Sequence, residues 1–168
     1  LTYEEAATIS VGGITALFLI RKVVLSPKDK VLIYGASGSI GVAAIQLIKY
    51  YGATVTAVCS ASNFELVKSL GADEVIDYTK EDYTKNGVVY DVIFDVLGKS
   101  SFKKNVNVLS DNGSYLLGSP KFTEALRGYW VSITTGKTVI SSCALHDAEK
   151  VQFLADVYEQ GKLKPVID

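Results

Sequence analysis

Residues 34 to 41 read Tyr-Gly-Ala-Ser-Gly-Ser-Ile-Gly. Counted from Ala36, this is a G-x-G-x-x-G spacing with alanine in the first place. Each position has a physical job in phosphate chemistry. A small side chain at Ala36 permits a tight turn off a preceding strand. Gly38 carries no side chain, so phosphate oxygens can approach the backbone. Gly41 lets a following helix pack closely on the strands. That helix would present free N–H groups and the positive end of its dipole, worth roughly 0.3–1 kcal/mol per negative charge. Ala36, Ser37, Gly38, Ser39, Ile40 and Gly41 are therefore candidates to hold the pyrophosphate of a dinucleotide. The reading requires a strand before the loop and a helix after it.

Both are expected. Lys30 to Tyr34 (KVLIY) is a short β-rich run, apolar on both faces as a central parallel strand would be. Ser39 to Tyr50 is dense in apolar residues and stops at Gly52, a natural helix breaker. Further strands are predicted at Thr54–Cys59, Glu74–Ile76, Asp91–Val96, Ser114–Leu117 and Thr138–Ser142. Helices are predicted at Phe64–Leu70, Ser100–Leu109 and Ala148–Tyr158, with a turn at Asn112-Gly113. Residues 119 to 136 give no clear pattern. Residues 2 to 24 read as mostly helical, with Thr2 and Glu5 fitting a capping box and Gly12-Gly13 allowing close approach of another segment. Strands alternating with helices imply βαβ units, right-handed crossovers and a parallel sheet covered on both faces.

The end of the second strand bears on which dinucleotide is held. An acid about 20 positions past the loop would bond the adenosine ribose 2′-OH and repel a 2′-phosphate. Here that place is Ser60, followed by Ala61, Ser62 and Asn63, and the nearest acid, Glu65, falls in the next helix. Hydroxyl and amide groups suit a 2′-phosphate, which favours NADPH over NADH. No Arg or Lys accompanies them, so the expected preference is modest.

Composition sets the surrounding limits. The 168 residues are 48% hydrophobic and 21% charged, values of an ordinary globular domain rather than a disordered chain. A formal net charge of −1 gives no electrostatic reason to expect nucleic acid or an anionic membrane as partner. The apolar stretch Val11 to Ile20 is too short to span a bilayer. The chain has no Met and opens Leu-Thr-Tyr, so we expect it to be a piece of a longer protein. Cys59 and Cys143 form no C-x-x-C and His146 is the single His, so four-ligand zinc spacing is not expected. The two thiols are expected to be buried, and the compartment reducing and cytoplasmic.

Several stretches together resemble the cofactor domain of the medium-chain dehydrogenase/reductase superfamily, in its zinc-independent quinone oxidoreductase-like branch. They are EEAATISVGGITAL (4–17), GASGSIGVAAIQLIKYYGATV (35–55), SLGADEVIDYTKEDY (69–83), YDVIFDVLGKSSF (90–102) and GKLKPVID (161–168). The resemblance implies an α/β Rossmann-type fold, a doubly wound parallel sheet of six strands in the order 3-2-1-4-5-6. It implies that residues 1–168 are this one domain, with a catalytic domain before it and a return segment after it lying outside the sequence. It points to Thr15 beside the nicotinamide and phosphates, and to Gly38, Ser39, Ile40 and Gly41 on the pyrophosphate. Ser60 would reach the adenosine ribose or its phosphate, Asn63 stands where the family is often basic, and Tyr78 would sit beside the 2′-phosphate. Val96 to Gly98 would line the cleft, while Gly118 and Ser142 would face the nicotinamide end. The implied activity is hydride transfer from NADPH to a quinone or α,β-unsaturated carbonyl, with no catalytic side chain identified in this chain. The implied partners are NADP(H), a small-molecule acceptor and a second copy pairing through the edge strand Lys137–Cys143. The other readings are the cofactor domain of a zinc-dependent alcohol dehydrogenase and a non-catalytic NADP(H)-binding module.

Two local patterns carry no chemistry. Tyr158 and Lys162 match Y-x-x-x-K, but Gly161 and Pro165 break the helix that would align them. His146 with Asp147 fits a helix-capping or surface position, and Asp95 is expected to be structural.

Overall fold

A computed structural model describes residues 12–119, 122–141 and 148–166. Six parallel strands form one sheet: β1 (Lys30–Tyr34), β2 (Thr54–Cys59), β3 (Glu74–Asp77), β4 (Tyr90–Asp95), β5 (Leu109–Leu117) and β6 (Thr138–Ser141), in the order β3-β2-β1-β4-β5-β6. The helices are α1 (Ile14–Ile20), α2 (Ser39–Tyr50), α3 (Phe64–Ser69), α4 (Phe102–Val108), α5 (Phe122–Thr134) and α6 (Ala148–Glu159). This is the doubly wound Rossmann arrangement. The chain leaves β1 toward β2 and β3 on one side, then returns across β1 to β4, β5 and β6. That reversal opens a crevice at the carboxyl ends of β1 and β4, where such sheets bind ligands.

Alternation along the strands divides the core in two. Val31 and Ile33 of β1, Val55 and Ala57 of β2, and Val92 and Phe94 of β4 face α1, α2 and α6. Leu32, Val58, Ile93, Tyr115 and Leu117 face the other way, with Phe102 of α4 and Tyr83. The helix α2 is buried along eight consecutive residues, Gly41 to Ile48, because the sheet covers one side and α1 another. Burial of Ile45, Leu47 and Ile48, each at most 1% exposed, contributes about 1.5–3 kcal/mol apiece. Gln46 is the polar exception on this buried run. Its amide accepts from Lys164 N–H at 2.6 Å and donates to the Lys164 carbonyl at 3.1 Å, fastening the C-terminal stretch to α2.

The strands and helices around the Gly-rich loop match expectation closely. Elsewhere the structure departs from it. Asn112-Gly113 is not a chain-reversing turn: β5 runs through it. The pairing jumps from Tyr90↔Leu109 to Val92↔Ser114, so the extra residues of β5 form a bulge. A Cβ on Gly113 would lie 2.6 Å from Leu109 Cγ and 3.0 Å from the Asp91 carbonyl oxygen, which explains the glycine by close approach. The predicted helix Ser100–Leu109 is shortened to α4, because Leu109 already pairs as strand. The unassigned stretch 119–136 contains α5. The Thr2–Glu5 capping box lies outside the described residues. Among the described residues, no helix is long and apolar enough to cross a membrane.

Candidate functional site

The loop after β1 is built around close backbone approach. Gly35 takes φ 85°, the left-handed conformation that turns the chain off the strand. The N–H groups of Gly35 and Ala36 both donate to the Val58 carbonyl of β2, at 3.1 and 3.2 Å. Ala36 is fully buried. The special conformation therefore falls on Gly35, one residue before the position expected to make the turn, and the small size of Ala36 serves packing. A Cβ on Gly41 would stand 2.6 Å from the carbonyl carbon and oxygen of Ala36, so α2 can start here only without a side chain. Gly12 behaves likewise. A Cβ there would overlap the Ser39 carbonyl, so the Gly12-Gly13 pair lets the start of α1 lie against the start of α2.

Gly38 is different. A Cβ there would meet only the Gly35 carbonyl oxygen, at 3.6 Å. Among the described residues nothing requires glycine at this place, whereas a phosphate group approaching the backbone would. Gly38 N–H donates to Gly35 O at 3.2 Å, and Gly38 O accepts the first helical bond from Val42 N–H at 2.9 Å. Gly38 offers no side-chain cap to the N-terminus of α2, and no acid lies in its first turn. Among the described residues, the N–H end of this twelve-residue helix, next to the Gly-rich loop, carries no side-chain cap.

Beside this loop is a cavity of about 340 Å³ lined by Tyr34, Gly35, Ser37, Val58, Cys59, Ser60, Tyr78, Leu97 and Lys99. It draws together the turns after β1, β2, β3 and β4. Ser60, half-buried, follows β2 directly. The Asn63 side-chain NH₂ donates to Ser37 Oγ at 3.1 Å and to Ser60 Oγ at 3.2 Å, tying the turn after β2 to the phosphate loop. Tyr78 follows β3, is 53% exposed, and has its ring centroid 6.3 Å from that of Tyr34. Cys59 is a buried thiol, pushed up in pKa by burial and then by the Asp77 carboxylate, so it is no reactive thiolate.

The opposite wall of the crevice depends on Asp95. Its side chain is 1% exposed at the end of β4. Oδ1 accepts from the N–H groups of Leu97 at 3.1 Å and Gly98 at 2.8 Å. Oδ2 accepts from Ser100 N–H at 3.2 Å and from the Ser100 hydroxyl. The turn 96–100 is thereby wrapped around one carboxylate, confirming Asp95 as a structural residue. Asn105 continues the network, donating to Ser100 Oγ at 2.6 Å and Tyr115 OH at 2.8 Å and accepting from Tyr83 OH at 2.7 Å. Burial pushes the Tyr115 phenol up to about 12. Val96 is buried and donates its N–H to Tyr34 O at 3.1 Å. Gly98 takes φ 60°, and Gly118 at the end of β5 has the Val96 backbone 3.1 Å from where its Cβ would be.

Of the expected site residues, Ala36 to Gly41, Ser60, Asn63, Tyr78, Val96, Gly98 and Gly118 all lie at the carboxyl ends of their strands. Thr15 is a half-buried residue of α1, one turn from the Gly12–Ser39 contact. Ser142, Cys143 and His146 lie outside the described residues. Tyr158 is on α6, but Gly161 at φ 68° ends the helix before Lys162. The Y-x-x-x-K geometry is therefore not formed. The sequence reading stopped the turn after β4 at Gly98, whereas the structure adds the next residue, Lys99, to the cavity lining. The sign was a lone basic residue inside a strand-end turn.

A family model described as zinc-binding dehydrogenase matches residues 70–168. Together with the sheet order and the Gly-rich crevice, it shows that the chain belongs to the zinc-binding dehydrogenases of the medium-chain dehydrogenase/reductase superfamily. Its curated relatives include the mitochondrial NAD(P)H oxidoreductase RTN4IP1 of Mus musculus, 35% identical over all of this chain and 49% of that protein. The chloroplast envelope quinone oxidoreductase homolog of Arabidopsis thaliana is 34% identical over 98% of this chain and 53% of that protein. Among solved structures, the quinone oxidoreductase from Coxiella burnetii superposes with a TM-score of 0.88 at 27% identity, covering all of this chain and 53% of that one. The chain thus spans about half the length of these relatives. The family's name refers to zinc. Among the described residues no group of three or more His, Cys, Asp or Glu side chains comes together as a metal site, so these residues do not fit that ion.

Proposed function

We propose that the chain is the cofactor-binding part of an NADPH-dependent oxidoreductase that delivers hydride to a quinone or an α,β-unsaturated carbonyl. The observation that carries this reading is the start of α2, uncapped among the described residues, reached past an open Gly38 and beside a cavity with hydroxyl groups. Residues 1–168 form the one nucleotide-binding domain, and the rest of the substrate cleft belongs to a longer protein. Ala36, Ser37, Gly38, Ser39, Ile40 and Gly41 bind the pyrophosphate through backbone N–H groups. Ser60, Asn63 and Tyr78 meet the adenosine ribose and its 2′-phosphate. Val96 and Gly98 flank the crevice, and Thr15, Gly118 and Ser142 border the nicotinamide end.

Bound NADPH supplies the hydride from its nicotinamide ring. The chain's own contribution is placement: a dipole on the phosphates at one end, and small residues or bare backbone against a flat ring at the other. Both acceptor classes carry a carbonyl conjugated to a double bond, so negative charge arriving with hydride can spread to oxygen. The preference for NADPH rests on the absence of an acid at Ser60–Asn63, where a carboxylate would repel the 2′-phosphate. A second copy pairs on the exposed edge of β6. There the Val139 N–H already donates to Ser132 Oγ at 3.0 Å, so pairing must displace that bond. Sedimentation of a strict monomer would count against the dimer. Cysteine usage supports a reducing compartment such as the cytoplasm, while the names of two relatives place them in mitochondria and the chloroplast envelope.

The test is turnover by the full-length protein. NADPH should be oxidised steadily when a quinone, enal or enone is added. Nucleotide binding without turnover on any of the three would overturn the enzymatic reading and leave a binding module.

A further inference from the structure

We propose that Lys99 supplies the positive charge for the 2′-phosphate of NADPH, reaching it from the turn after β4 because the turn after β2 has none. This deepens, and rests on, the NADPH reading above. A 2′-phosphate is the only feature separating NADPH from NADH, and its charge must be compensated on entering the crevice. Ser60, Ala61, Ser62 and Asn63 supply no cation, and the Asn63 NH₂ is already engaged by Ser37 and Ser60.

Among the described residues, Lys99 is the only charged side chain lining the cavity shared with Ser60 and Tyr78. It also lines the adjoining open groove, where Tyr34 and Tyr78 recur beside Lys80 and Lys104. Those two lysines have carboxylate partners: Lys80 lies 3.9 Å from Asp77, and Lys104 lies 2.7 Å from Asp82. Lys99 makes no ion pair among the described residues. It is therefore the cation of this region not already assigned to a carboxylate.

Its position is also well held. The residues on either side, Gly98 and Ser100, each donate a backbone N–H to the buried Asp95 carboxylate. The Lys99 backbone is thus pinned at both ends, while its exposed side chain keeps its reach over the cavity mouth. A flexible ammonium on a fixed base suits a terminal phosphate, which offers several oxygens and no single required geometry.

The test is calorimetric titration of the full-length protein and its Lys99→Met and Lys99→Arg variants with NADPH and with NADH. Lys99→Met should weaken NADPH binding roughly tenfold, the low end for a charge-assisted contact because the site is exposed. NADH affinity should not change, and Lys99→Arg should retain most of the NADPH affinity. Added salt should weaken NADPH binding by the parent more than by Lys99→Met. Equal losses for both nucleotides would overturn the proposal by placing Lys99 on a shared part of the cofactor. An unchanged NADPH affinity would overturn it as well. If the unsubstituted chain prefers NADH or binds neither nucleotide, the NADPH reading itself fails, an outcome visible before any variant is made.

Discussion

Replacing Asp95 with asparagine should separate the clamp on the β4 turn from the chemistry of the cofactor. The substitution is nearly isosteric, so the effect is electrostatic and directional. The amide oxygen can keep the two bonds from Leu97 and Gly98 N–H, at 3.1 and 2.8 Å. The amide nitrogen must then take the place of Oδ2, where it meets the Ser100 N–H that lay 3.2 Å away. Two donors now face each other. The Ser100 hydroxyl can rotate to accept, but its backbone N–H cannot. The bond from Ser100 N–H to a charged acceptor, about 1.5–3 kcal/mol, is lost together with the longer 3.4 Å bond from the Tyr115 hydroxyl, and the Ser100 N–H is left without a partner in a site only 1% exposed. The buried carboxylate's own desolvation cost is relieved at the same time. A net loss of about 2–3 kcal/mol is expected, which lowers Tm by roughly 4–12 °C at this size. Urea unfolding followed by circular dichroism measures it. Because the turn serves both nucleotides, NADPH and NADH affinity should fall together, unlike the selective loss expected at Lys99. A destabilisation below about 0.5 kcal/mol would refute the idea that this carboxylate organises the turn.

Three further outcomes are expected. Gly38→Ala should leave stability unchanged or slightly raised, since φ is −78° and the new methyl meets nothing closer than 3.6 Å, yet should weaken both nucleotides; Gly41→Ala should cost about 1–3 kcal/mol through overlap with the Ala36 backbone. Paired unfolding and binding titrations read the contrast. Gln46→Leu removes both bonds to Lys164 and should cost about 1–3 kcal/mol, with faster proteolysis of the C-terminal residues as the accompanying sign. Stability should fall as pH rises from the ordinary tyrosine value of 10.0 to about 12, because the unfolded chain releases the Tyr115 proton that burial makes the folded chain keep. Urea midpoints across that window should show a smaller slope in Tyr115→Phe.

The parts of the chain closest to the site were the most legible. The bounds of β1, α2 and β2 agree with the sequence reading because glycines punctuate them: Gly35 and Gly52 take φ of 85° and 88° at the points where the chain must turn. At α5 the helical spacing of the apolar residues was masked by Pro120, Gly128 and Gly136, which read as turn residues. Leu126, Tyr129, Trp130 and Ile133 are all more than half exposed, while Gly128 packs on Val139, with its Cβ position 2.6 Å from Cγ1. The helix presents its apolar stripe outward and packs Gly128 and Val131 inward. The Asn112-Gly113 signal was real, but the extra residues were absorbed by a bulge rather than a reversal. Ser60 and the Gly-rich loop could be assigned from local spacing. Asp95 was legible as a structural residue, but its set of partners, the N–H groups of Leu97, Gly98 and Ser100, depends on the path of the turn, which local spacing does not give.

We propose that this chain holds NADPH at the crevice beside Gly38. Calorimetric titration of the unsubstituted chain with NADPH and NADH tests it most directly. One NADPH should bind per chain, more tightly than NADH, with the binding weakened in Gly38→Ala. Tighter binding of NADH, or no binding of either nucleotide, would contradict it.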